Sequence, residues 1–168
     1  MTTSDLLDEA TLPAPPLGTS AYLRTVIVDG IAHLSGQLPY VNGRLKITGS
    51  VGELVTVEEG IDAARQCALN ALAVLLAEIG SLARVIAIVR LTGYVSAAEG
   101  FTQHPKVLDG ASAALTEYLG ERGRHSRSAI GVRNLPHGAP VEIELTVAIA
   151  RDATTDLQST ALANHARR

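Results

Sequence analysis

Apolar and polar residues alternate with period two at the end of the chain. Val141, Ile143, Leu145, Val147 and Ile149 interleave with Glu142, Glu144, Thr146, Ala148 and Ala150, which predicts a strand. Ahead of it Ile130 and Val132 alternate with Gly131 and Arg133, and Asn134 to Pro140 form a polar break, so the pattern predicts two strands joined by a turn. Tyr22 to Val28 and Ile31 to Ser35 read as a hairpin about Asp29-Gly30. Val85 to Val95 carries apolar residues on both faces and predicts a strand covered on both sides.

Helical spacing appears twice. Thr56 is placed to cap a helix with Glu58 and Glu59 in its first turn. Ile61, Ala64, Ala68, Leu72 and Leu75 then keep one face until Gly80. Pro105 opens a second helix, with Val107, Leu108, Ala111, Leu115, Tyr118 and Leu119 inward and Gly120 near its end. The order is β-β-α-β-α-β-β, an α+β sheet with both helices on one face. Thr146, Ala148 and Ala150 then lie on a face the helices do not reach, which is either packed on another subunit or simply exposed. Residues 18–150 form the domain. Residues 1–17 are a Pro-rich extended lead-in, and 151–168 a polar tail with a frayed helix as one option. The long polar loop from Gly36 to Thr56 has the length of a functional or interface loop.

Composition narrows the function classes. One Phe, four Tyr and no Trp leave an aliphatic core and no stacking platform for nucleic-acid bases, and a net charge of -3 supplies no attracting field. Nucleic acid is therefore not the expected partner. A lone cysteine, Cys67, sits in an apolar helical run and reads as a buried small hydrophobe. The acidic, polar N-terminus and the short apolar runs predict a cytoplasmic protein without a membrane span. His33, His104, His125, His137 and His165 lack ligand spacing, so no metal site is expected.

Candidate chemistry concentrates in the last two strands. If they pair, the guanidinium of Arg127 and a carboxylate of Glu142 or Glu144 face one small space, suited to holding an anion and moving a proton beside it. The plainer alternative makes the two glutamates a solvated outer face, and makes Arg127 one charge of a patch with Arg122, Arg124 and His125.

In this order and spacing, Ser35-Gly36-Gln37-Leu38-Pro39, Ala64-Arg65-Gln66, Arg127-Ser128, Leu135-Pro136 and Val141-Glu142-Ile143-Glu144 resemble the RidA/YjgF family of enamine/imine deaminases. That family is also called endoribonuclease L-PSP. The resemblance spans roughly residues 12–150. The long loop, Asp109-Gly110-Ala111-Ser112 and the 123–129 segment mark a divergent branch. It implies a chorismate-mutase-like fold with a mixed sheet, a homotrimer, and active sites in clefts between subunits. It also implies that Arg127 grips a substrate carboxylate, that Ala129 holds the substrate nitrogen through its main chain, and that Glu144 handles water and a proton. Tyr22, Ser35 and Gly36 would line the cleft. Ala129 stands where the family often has Cys, and Gly110 where it often has Asn. The implied reaction is hydrolysis of a 2-aminoacrylate-type enamine, through its imine, to a 2-keto acid and ammonia, with no metal or organic cofactor. The alternatives are a non-catalytic trimer binding a small carboxylate and, less favoured, a ribonuclease using Arg122, Arg124, His125, Arg127 and Arg133.

Overall fold

A computed structural model describes residues 6–16 and 22–151. The N-terminal lead-in is described only over 6–16, and the polar tail beyond Arg151 lies outside the described residues. Strands β1 (Thr25–Val28) and β2 (Ile31–Gln37) form the predicted hairpin, with Asp29 and Gly30 at φ 51° and 78°, the pair of positive angles a tight twisted turn requires. The strand predicted from Tyr22 starts at Thr25. Within the long loop, β3 (Tyr40–Val41) and β4 (Arg44–Leu45) make a second hairpin about Asn42-Gly43. The loop is pinned at both ends. The buried Asn70 amide donates to the carbonyls of Leu38 (2.8 Å) and Tyr40 (3.0 Å), and fully buried Val51 bridges to Ala97.

Helix α1 (Val57–Ile79) opens with a reciprocal cap. Thr56 Oγ1 accepts from the Glu59 N–H (3.1 Å), and the Glu59 carboxylate accepts from the Thr56 N–H (2.8 Å). Helix α2 (His104–Leu119) has Pro105 in its first turn. Strand β5 (Val85–Ser96) precedes α2, and β6 (Ser126–Val132) and β7 (Val141–Ile149) follow it. α1 has the length and hydropathy of a membrane span, against expectation, yet its apolar residues are core. Fully buried Leu72, Leu75, Leu91, Leu108, Leu115 and Ile143 fill the space between helices and sheet. Cys67 is buried among them, and burial pushes its thiol well above the ordinary range.

The sheet order is β1-β2-β7-β5-β6, antiparallel throughout except for the parallel β5–β6 pair that the α2 crossover imposes. The two C-terminal strands, whose pairing was the condition for bringing Arg127 and a glutamate together, therefore do not pair with each other. β5 lies between them, and residues 134–140 carry the chain across it. Alternation identifies a strand but is silent about its neighbour.

Both helices cover one face, as expected. Gly93 of β5 leaves the room that Leu108 of α2 occupies, and Gly110 of α2 sits against the Ile61 carbonyl of α1, where a Cβ would collide. Among the described residues no element covers the other face. Ile86 and Val89, next to the register shifts in β5, are 58% and 45% exposed, so the double coverage predicted for β5 is not found among the described residues.

Candidate functional site

Strand parity separates the candidate residues. Leu145, Leu91 and Arg127 are neighbours across β7, β5 and β6, as are Glu144, Thr92 and Ser128. Leu91 and Leu145 are buried under the helices, so Arg127 points to the helix side, while Glu144 points to the open side. A single chain does not bring Arg127 and the glutamates into one space. The hairpin that would have joined them does not exist.

On the helix side Arg127 is half-buried at the sheet edge beneath α2. Its Nη1 donates to Ser112 Oγ (2.9 Å) and its Nη2 to the Pro105 carbonyl (3.0 Å), with Asp109 Oδ1 also 3.0 Å away. His125 Nε2 lies 3.1 Å from the same Ser112 Oγ, and its Nδ1 is 2.6 Å from the Gly123 carbonyl. Burial first, and the Arg127 charge after it, lower the His125 pKa against the Gly123 hydrogen bond. The surface patch dissolves. Arg122 turns away to cap the carbonyls of Leu82, Ala83 and Val85, and Arg124 pairs with Glu121 at 3.4 Å. Ala129 is half-buried beside Gly93. Gly110, where the family often has Asn, packs on α1, and its neighbour Asp109 is the group that reaches Arg127.

On the open side Glu142 pairs in register with Tyr94, and Glu144 with Thr92. The Tyr94 hydroxyl donates to Glu144 Oε1 (3.1 Å), and Arg90 donates to Ser128 Oγ (2.7 Å). β2 bulges between Leu34 and Gln37, which lays the backbone of Gly36 over the Glu142 carboxyl so closely that a Cβ on residue 36 would overlap it. Burial, then the Glu144 charge, push the Glu142 carboxyl above its ordinary pKa. Burial and the Glu144 contact likewise raise Tyr94. Ser35 Oγ donates to the Leu23 carbonyl (2.8 Å), fastening the segment that carries exposed Tyr22. Two clefts, of about 370 and 620 Å³, are lined by other residues, among them Lys46 and Arg65 in the first and Glu53, His104 and Arg133 in the second. Among the described residues no three His, Cys, Asp or Glu side chains converge as for a metal ion.

Tyr94 and Arg90 are members of these networks that pattern reading did not single out, while Asp109, Ser112 and His125 stand out in the sequence without the roles they have here. A signal existed for some: Asp109 and Ser112 are three apart on a helix, and His125 and Arg127 two apart along an extended stretch.

The family model described as "YjgF/chorismate mutase-like, putative endoribonuclease" matches residues 8–142. Protein TCP17 of Trypanosoma cruzi is 39% identical over 137 residues, covering 81% of this chain and 86% of that protein. The crystal structure of Atu1372 from Agrobacterium tumefaciens, a protein of unknown function, superposes with a TM-score of 0.79 at 37% identity, covering 83% of this chain and 86% of that one. A structure from Shewanella oneidensis, described as a putative endoribonuclease, gives the same score and identity over 82% of this chain and 91% of its own. With its chorismate-mutase-like sheet and helices, this chain belongs to the YjgF/RidA family.

Proposed function

We propose that the protein is an enamine/imine deaminase that hydrolyses small 2-imino acids, acting as a homotrimer whose sites lie between copies. The observation that carries this reading is the Glu142 carboxyl, half-buried against Gly36 and raised in pKa, on a sheet face that no other described residues cover. An acid of that kind retains a proton nearer neutrality than an ordinary carboxyl, as general acid catalysis requires. The cation the chemistry needs, Arg127, belongs to the opposite face at the sheet edge. Only a second copy, setting its β6 edge against this open face, joins the two. Exposed Val26, Val28, Ile86 and Ile130 supply apolar area for that contact.

The substrate carboxylate is held by Arg127 and its nitrogen by main-chain groups at Ala129. Glu142 protonates the terminal carbon of the enamine, giving the iminium. Its carboxylate then takes a proton from the water that adds to the iminium carbon, giving a neutral carbinolamine. Glu142 passes that proton to the nitrogen, and the C–N bond breaks with its electron pair on the departing ammonia. The carbinol O–H proton returns to the Glu142 carboxylate as the C=O bond forms, leaving a 2-keto acid. Glu144, held by the Tyr94 hydroxyl, is the second candidate for the proton-handling role. On this geometry it serves better as the neighbouring charge that, after burial, raises the Glu142 pKa. Gly36 borders Glu142, and Ser35 and Tyr22 line the cleft on this reading.

The test is release of ammonia and keto acid from freshly generated 2-aminoacrylate and a panel of related imines. Acceleration over the buffer rate is expected. No turnover across the panel, with pyruvate still bound, would leave a carboxylate-binding protein.

A further inference from the structure

Arg127 is held firmly on one edge and loosely on the other. On the firm edge Nη1 donates to Ser112 and Nη2 to the Pro105 carbonyl. The Ser112 hydroxyl is itself directed. The Gly123 carbonyl can only accept, so His125 carries its ring proton on Nδ1 and presents the lone pair of Nε2 to Ser112 Oγ. Arg127, Ser112, His125 and Gly123 thus form one chain of donors and acceptors running from the guanidinium to the backbone. The loose edge is Asp109. Its carboxylate is 3.0 Å from Nη2, yet its side chain is 66% exposed against 22% for Arg127. A pair with one solvated partner holds weakly, whereas a ligand carboxylate enclosed in a cleft is desolvated around the same cation.

We propose that Asp109 is the resident occupant of the Arg127 guanidinium, displaced by the substrate carboxylate, and that Ser112 and His125 are positioning residues that keep the guanidinium still during the exchange. The proposal rests on the reading of Arg127 as the carboxylate-binding group. Asp109 sets a threshold: a ligand enters only if its own carboxylate competes for the Nη2 hydrogen. Neutral analogues fail to dislodge it, and the guanidinium is not left unpaired in a half-buried position between turnovers.

Calorimetric titration of the full-length protein with pyruvate, and with uncharged pyruvamide as control, tests this. Asp109→Asn should bind pyruvate about three- to fivefold more tightly, the scale of an ion pair with an exposed partner, and leave pyruvamide unchanged. Ser112→Ala should weaken pyruvate several-fold, and Ser112→Thr, which keeps the hydroxyl, should restore it. If the unmutated protein binds pyruvate but Asp109→Asn does not improve it, or improves pyruvamide equally, the resident-occupant proposal falls and the carboxylate reading stands. If the unmutated protein binds no pyruvate, both fall.

Discussion

The two faces of the sheet solve opposite problems. Under the helices every large side chain finds a neighbour: Leu108 enters the space left by Gly93, α2 closes on α1 at Gly110, and Leu91 and Leu145 are sealed. On the other face valines and isoleucines stand exposed beside two carboxylates, a tyrosine and an arginine. The covered face makes the fold. The open face mixes exposed apolar and ionisable side chains, and the Arg127 guanidinium is aimed the other way. The chain keeps Arg127 and Glu142 in fixed positions on opposite faces of one sheet without pairing them.

Breaking the open face should separate assembly from folding. Ala148 lies between Ile31 and Ala87 in the strand register of that face. Ala148→Arg should leave the far-ultraviolet circular dichroism unchanged. Light scattering should show the mass falling from about three times 17.5 kDa to one chain, with turnover lost. An intact trimer would mean that another surface joins the copies.

The glutamates give the next largest effect. Glu142→Gln should lower turnover by ~10²-fold, the usual reach of general acid–base catalysis, with pyruvate affinity nearly unchanged. Glu144→Gln should cost less. The reverse order would move the proton to Glu144 and make the Gly36 contact structural. Arg127→Lys should weaken pyruvate by roughly tenfold or more, since an ammonium replaces a planar fork of donors, a loss of ~1.5–3 kcal/mol for a charged hydrogen bond. Equal affinity, with assembly intact, would remove Arg127 from the site.

The covered face should respond in stability alone. Gly110→Ala forces α2 away from the Ile61 carbonyl and should cost about 1–3 kcal/mol in denaturant unfolding, the range for overpacking. Light scattering on the folded variant should still report the assembled mass.

The order of elements was legible because each rests on local physics: Thr56 and Gly80 bracket α1, Pro105 opens α2, and period-two alternation marks β7. Partnership was not legible. Val141–Ile149 reads the same beside β6 as beside β5, and only the α2 crossover, which brings β6 in parallel, decides it. The sides of the sheet on which Arg127 and Glu144 fall depend on that register. Arg127, Glu142 and Glu144 stood out as residue types in the chain. That Glu142 lies under a bulge at Gly36, and that Asp109 and Ser112 hold Arg127, are consequences of tertiary packing that spacing alone does not carry.

The smallest effect tests the raised Glu142 carboxyl directly. In the folded chain it binds its proton more tightly than in the unfolded chain. Between the ordinary carboxylate range and the raised folded value the native state therefore holds the extra proton, and stability falls as pH rises through that window. Above it, the charged Glu142 opposes folding because it lies half-buried beside Glu144. Glu142→Gln removes that charge while keeping the shape. At neutral pH the variant should melt about 1–3 °C higher than the unmutated protein, the shift expected for a fraction of a kcal/mol in a chain of this size. The gain should shrink as pH falls through the window and vanish below the ordinary carboxylate range, where both side chains are neutral. Glu144→Gln should also raise the melting temperature, because it removes the charge that helps lift Glu142, but should lose the Tyr94 hydrogen bond to a carboxylate in return. Scanning calorimetry across pH decides it. A Glu142→Gln gain that does not change with pH would mean the carboxyl titrates normally, and the open face would then hold two ordinary surface acids.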